Sequence, residues 1–208
     1  MARSGKSFSR GKPKFKPQPT ALVICEDKKS SKHYLDDACC HFRADVDIEV
    51  IHCGKTDPKG IVEKAISSTK HYDTIFCVID RDEHLNFEEA LMLAKSFEKI
   101  TVITSYPCFE FWLLLHFQYS RKPYRSTLKK SAGEQILLDL KSKPGMHEYA
   151  KGSTRGLFNA LLGEKFSLAR SNSVRVLKDA KTNTEPNPST TLHELIDFIE
   201  SLSSPLPY

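Results

Sequence analysis

Residues 74–84 read TIFCVIDRDEH, an apolar run that stops at two aspartates, Asp80 and Asp82, with Arg81 between them. Alternate side chains of an extended segment point the same way, so Asp80 and Asp82 share a side with their Cα atoms roughly 6 to 7 Å apart. Two carboxylates held at 4 Å repel by about 1 kcal/mol in water and about 4 kcal/mol at the effective dielectric of a protein surface. A cation or a shared proton removes that cost. Magnesium suits such a pair: it takes oxygen ligands, keeps several waters, and uses one or two carboxylates with substrate phosphate oxygens completing its shell. Glu26, at the end of an earlier apolar run, is a candidate further ligand, or a base for an attacking water. Lys28 and Lys29 follow it and are candidate phosphate contacts, as is Arg81. The competing account is plain structure. Acid-x-acid is common after a strand, Asp caps helices, Arg81 neutralises its neighbours, and the lysines lie on a solvated face.

These residues need elements to position them. TALVICE, IEVIHC, TIFCVID and ITVITSY are short apolar runs rich in Val, Ile and Thr, and they read as strands buried on both faces. Between them, residues 30–42 place Tyr34, Leu35, Ala38 and Phe42 on one helical stripe, and residues 57–69 read as a shorter helix. Residues 86–99 read as a third helix, opened by a capping box from Asn86 to Glu89. Strands alternating with helices predict an α/β fold, a mostly parallel, Rossmann-like sheet flanked by helices. Right-handed crossovers then put every strand's C-terminal end on one edge, where ligands bind. A strand order of 2-1-3-4 would make the first and third strands neighbours and gather Glu26, Asp80 and Asp82 there.

Beyond the fourth strand, CFEFWLLLHF is apolar on nearly every face and reads as a buried helix. A basic stretch, QYSRKPYRSTLKK, precedes a helix with a capping box from Ser131 to Glu134. Residues 142–186 carry weak signals, read as short helices and loops. NPSTTLHELIDFIESL closes the pattern as an amphipathic helix capped at Thr190 or Thr191. Three regions follow: a basic arm (1–19), an α/β core (20–117) and a mainly helical extension packed on it (118–208).

Bulk properties narrow the function classes. With 208 residues, 39% of them hydrophobic, the chain can bury a sizeable core. No apolar stretch approaches the roughly 20 residues that span a bilayer, and no apolar segment follows the basic N-terminus as in a secretory signal. A cytoplasmic protein is expected. The six cysteines form no CxxC pair, and Cys40, His41, His52 and Cys53 lack zinc-ligand spacing. The first 19 residues hold six Lys or Arg and no acid. Such an arm is disordered by composition and serves as a solubilising tail or lends affinity for nucleic acid. No GxxxxGK[ST] and no GxGxxG occurs, so neither a P-loop nor a dinucleotide site is expected. A receiver-like phospho-acceptor shares acids at these strand ends but stops after about 120 residues, leaving the basic C-terminal part unexplained.

VICED, CVIDRDEHLNFEEAL, ITSYPCFEFWLLLHF and NPSTTLHELIDFI, in this order and at these intervals, resemble the RloB-like family of the Toprim superfamily, which is associated with abortive-infection antiphage defence. The resemblance covers residues 20–202, and its PCFEFWLLLHF block is the most specific part. It implies a Toprim-like core whose glutamate after the first strand and DxD after the third match Glu26, Asp80 and Asp82. It implies a nuclease using Mg2+ or Mn2+ on DNA or RNA, with an ABC-type or AAA-type ATPase as partner; a homo-oligomer is compatible with it. Glu110 and His116 also match family positions and enter as catalytic candidates. Helical geometry sets His116 about 120° around the axis from Glu110, however, so the two cannot face one point from a single stripe. The chain departs from the family pattern at Asp27, where a glycine is usual, at Lys28 and Ser31, where acids are, and at Tyr106, where an asparagine is. The competing reading is a catalytically idle Toprim-like module that binds nucleic acid or the ATPase.

Overall fold

The computed structural model describes residues 20–44, 47–81 and 84–203. The basic arm and Asp82 lie outside them. The core runs β1 (Ala21–Cys25), α1 (Ser30–His41), β2 (Ile48–Ile51), α2 (Pro58–Ser68), β3 (Thr74–Asp80), α3 (Phe87–Ala94), β4 (Ile100–Tyr106) and α4 (Glu110–Leu115). After it come α5 (Ala132–Lys141), α6 (Leu157–Ala160), α7 (Glu164–Thr182), β5 (Ser189–Thr190) and α8 (Leu192–Ser201).

The sheet order is β2-β1-β3-β4-β5, with β1 to β4 parallel and β5 antiparallel to β4. β1 and β3 are therefore neighbours, with Cys25 opposite Val78. The two-residue alternation sorts each central strand between two cores. Ala21, Val23, Cys25, Phe76, Val78 and Ile103 face the layer of α1, α4, α5, α7 and α8. Leu22, Ile24, Ile75, Cys77, Ile79 and Ile100 face α2 and α3. Helices thus cover both faces, as continuous apolar strands require.

Several expectations are corrected. The capping box at Asn86 and Glu89 does not form. Instead, Asn86 Nδ2 donates to Asp57 Oδ1 at 3.1 Å and Glu89 pairs with Lys59 at 2.6 Å, so both side chains tie α3 to α2. α3 also stops at Ala94, not Lys99; its last turn tightens and places Phe97 against the α2–α3 core before β4 begins. Finally, the weakly patterned stretch 142–186 contains the 19-residue α7. Its buried stripe includes Asn172 and Ser173, which break the apolar period, yet both are satisfied there. Asn172 Nδ2 donates to the Leu115 carbonyl at 2.8 Å and Ser173 Oγ to the Thr190 carbonyl at 3.0 Å. β5 escaped notice because two residues carry no alternation; Thr191 at the start of α8 accepts from the Thr104 N–H at 3.0 Å instead of capping the helix.

Among the described residues no helix is long and apolar enough to cross a membrane.

Candidate active site

The C-terminal ends of β1 and β3 carry Glu26 and Asp80, and the parallel register brings them side by side. Glu26 N–H donates to the Val78 carbonyl at 3.0 Å, extending the β1–β3 pairing by one residue. Glu26 Oε2 accepts the Asp80 N–H at 2.9 Å. Its other oxygen, Oε1, lies 2.9 Å from His84 Nε2. Continuing the alternation of Phe76 and Val78, Asp80 belongs to the face covered by α1 and α4. Phe109 N–H, just before α4, donates to its carboxylate.

α4 supplies the third acid. Glu110 is 2% exposed, in the first turn of the helix, where the macrodipole favours a carboxylate. Tyr149 OH donates to Glu110 Oε1 at 3.2 Å, and Lys151 Nζ stands 3.7 Å from Oε2. Burial and then the Glu110 charge push the Tyr149 phenol far up, so it serves Glu110 only as a donor. Loss of water, followed by the Glu26 and Glu110 charges, holds Asp80 well above the usual carboxylate range. Burial together with Glu110 and Asp80 raises the Cys108 thiol as well. Both shifts favour the neutral forms, so a charged Asp80 is costly at this edge unless a cation joins it.

Asp27 is not a weakened version of the expected glycine. Its carboxylate accepts from the N–H groups of Lys29 (2.8 Å), Ser30 and Ser31 (2.8 Å) and from Ser31 Oγ, so it caps α1. Lys28 and Lys29 are exposed beside it. The Lys29 stem lies over Gly152, where an added Cβ would come within 2.9 Å of Lys29 Cδ and where φ is +91°. Gly152 N–H donates to Ser30 Oγ at 3.0 Å, and Thr154 Oγ1 reaches the Lys29 and Ser30 carbonyls at 2.9 and 3.0 Å. The segment between α5 and α6 is thus pinned to the start of α1, which carries Tyr149 and Lys151 to Glu110.

Of the residues singled out in the sequence, Glu26, Asp80 and Glu110 converge, with Lys28 and Lys29 at the adjoining start of α1. Arg81 turns aside: its N–H donates to the Ser105 carbonyl (2.8 Å), one guanidinium nitrogen donates to the His84 carbonyl (2.9 Å), and its Cζ lies 4.9 Å from the centre of the Phe87 ring. Asp82 lies outside the described residues. His116 does not join the acids, which corrects its place among the catalytic candidates. It is fully buried, with Nε2 3.2 Å from Tyr34 OH and Nδ1 3.0 Å from the Trp112 carbonyl, so protein partners occupy both nitrogens. Burial lowers its pKa to about 4. His84, Tyr149 and Lys151 had escaped notice. His84 lies four residues after Asp80 but carries no local sign of its contact with Glu26, and nothing in EYAKGS sets Tyr149 and Lys151 apart from surface residues.

Among the described residues no group of three or more His, Cys, Asp and Glu forms a ready metal cage. The neighbouring carboxylates of Glu26 and Asp80 nevertheless suit a hard divalent cation that keeps most of its water, since such an ion offsets the cost of charging Asp80.

A family model described as RloB-like protein matches residues 21–199. No curated protein and no solved structure matches the chain.

Proposed function

This chain belongs to the RloB-like protein family, and on that premise we propose that it is a metal-dependent nuclease of Toprim type, hydrolysing phosphodiesters of DNA or RNA. The observation that carries the reading is the meeting of Glu26, Asp80 and Glu110 at the C-terminal edge of the sheet, where Asp80 feels both other carboxylates. Asp80 and Glu26 would hold Mg2+ or Mn2+, with Asp82 as the further candidate ligand. When bound, such an ion supplies Lewis-acid polarisation of a phosphoryl oxygen. Glu26, oriented by His84 Nε2 at 2.9 Å, is alternatively the base that takes the proton from an attacking water. Lys28 and Lys29 lie where they can steady the phosphate, and Tyr149 and Lys151 orient Glu110. The cellular setting that goes with this reading is abortive-infection antiphage defence in the cytoplasm, together with an ABC-type or AAA-type ATPase.

The test is incubation of the purified protein with plasmid, single-stranded DNA and transfer RNA, with Mg2+, Mn2+ or chelator and with the ATPase supplied. Cleavage should vanish with chelator and fall by at least a hundredfold in Asp80→Ala, the range for loss of a group that stabilises the transition state. Tight binding without cleavage, unchanged in Asp80→Ala, would instead make the chain an idle nucleic-acid-binding module.

A further inference from the structure

Beside the acids lies an open pocket of about 240 Å³, walled by Arg81, Tyr106, Pro107, Tyr124, Arg125 and Asn187. Arg81 and Tyr106 lie one residue beyond Asp80 and its register partner Ser105, so the pocket opens at the same strand ends as the acids, on the side of Phe87. Two walls come from the sheet. Tyr106 stands edge-on to Phe87 at 5.4 Å, and Arg81 lies over the same ring. The opposite wall comes from the basic stretch before α5, which is braced from behind. Tyr124 N–H donates to Asn187 Oδ1 (3.2 Å), Asn187 Nδ2 donates to the Tyr124 carbonyl (2.6 Å), and Tyr124 OH donates to Asp139 (2.7 Å). Arg121 is committed to the carbonyls of Glu185 and Pro188. Arg125, by contrast, is largely exposed and pairs at the surface with Glu185 at 2.8 Å. Such a pair is readily exchanged for a phosphate.

Flat aromatic and proline walls between two guanidinium groups suit a planar ring carrying a phosphate. The geometry points to a nucleotide-binding subsite: one unpaired base of the substrate strand lies against Tyr106 and Pro107, while Arg125 takes a flanking phosphate and Arg81, held by Phe87 and the His84 carbonyl, forms the opposite rim. A base in a duplex has its faces covered by its neighbours, so the pocket selects a single-stranded segment of nucleic acid. This rests on the nuclease reading, since the base would belong to the strand whose phosphodiester meets the ion at Glu26 and Asp80.

Fluorescence anisotropy in chelator tests the pocket apart from any cleavage. The probes are a labelled single-stranded octanucleotide, its duplex, and a set with one abasic position moved along the strand. The single strand should bind at least about tenfold more tightly than the duplex. One abasic position should weaken binding by roughly tenfold, within the range that stacking of one base contributes. Tyr106→Leu should erase the difference at that position, and Arg125→Ala should weaken the intact strand several-fold. Because Arg125 is exposed, its variant keeps the test open should Tyr106→Leu fail to fold. Equal affinity for duplex and single strand, or no position that responds to base loss, would overturn the inference. Base-dependent binding without cleavage in Mg2+ or Mn2+ keeps the pocket and rejects the nuclease; cleavage without base-dependent binding does the reverse.

Discussion

Asp80 bears the conflict between stability and use most plainly. Its carboxyl is displaced upward by loss of water and by Glu26 and Glu110, so the folded state binds a proton more readily than the unfolded chain. Between the unfolded value of 3.8 and the raised folded value, stability therefore falls as pH rises. Asp80→Asn keeps an acceptor for the Phe109 N–H and removes the charge. It should raise the melting temperature in chelator at pH 7.5 while abolishing cleavage, because the cost of keeping that carboxylate charged in the fold is removed. Mg2+ should raise the melting temperature of the unaltered protein and leave the variant unmoved, because only a site that binds the ion in the folded state shifts unfolding. Calorimetry with and without Mg2+ checks both; a variant less stable than its parent would remove the argument that this edge awaits a cation. Asp80 and Glu26 were legible beforehand, since each ends an apolar strand. His84 was not, because its role depends on a contact with Glu26, 58 residues away in sequence.

At the scale of elements, the start of α1 is the joint on which the site depends. Asp27 satisfies three backbone N–H groups and one hydroxyl there. Asp27→Ala should cost about 1 to 2 kcal/mol in a denaturant titration, at the upper end for loss of a helix cap. Gly152 serves the same joint from the other side. Gly152→Ala would need φ at +91° and would drive its Cβ into the Lys29 stem. It should cost about 1 to 3 kcal/mol, and should loosen Tyr149 and Lys151 from Glu110; amide exchange over residues 148–154 should accelerate. The capping box at Ser131 and Glu134 forms as its spacing predicts, whereas the similar pattern at Asn86 and Glu89 does not. The local signal is equivalent in the two places. α2 lies close enough to α3 for Asp57 and Lys59 to claim the second pair, and no local pattern can foresee that competition.

For the whole molecule, His116 contributes to acid sensitivity, alongside His193, which burial also lowers. Its ring stays neutral in the folded core, with a pKa of about 4 against an ordinary 6.5. The unfolded chain thus binds the extra proton between those values. Stability is full above about pH 6.5 and is lost as pH falls toward 4, by on the order of 3 kcal/mol. The Asp80 linkage runs the other way, so the two oppose each other in weakly acidic solution. Melting curves from pH 7 to 4 should slope steeply for the parent protein. His116→Gln should start lower at pH 7, having lost its fit among Tyr34, Trp112 and Phe166, and should slope less. An unchanged slope would mean that another group governs acid unfolding.

Composition and periodicity were enough for the four parallel strands, the intervening helices, the buried α4 and the acids that end β1 and β3, because burial on both faces or on one stripe writes itself into consecutive residues. The family resemblance drew attention to Glu110 and His116 alike, but only packing separated them: one end of α4 meets Asp80 and the other lies in the core. β5, α7, the seat of Lys151 and the pocket beside Arg81 were decided by tertiary structure. Their hydrogen bonds and ion pairs join residues far apart in the chain, and side chains that look polar and surface-bound in sequence are satisfied there by partners that only the fold brings near.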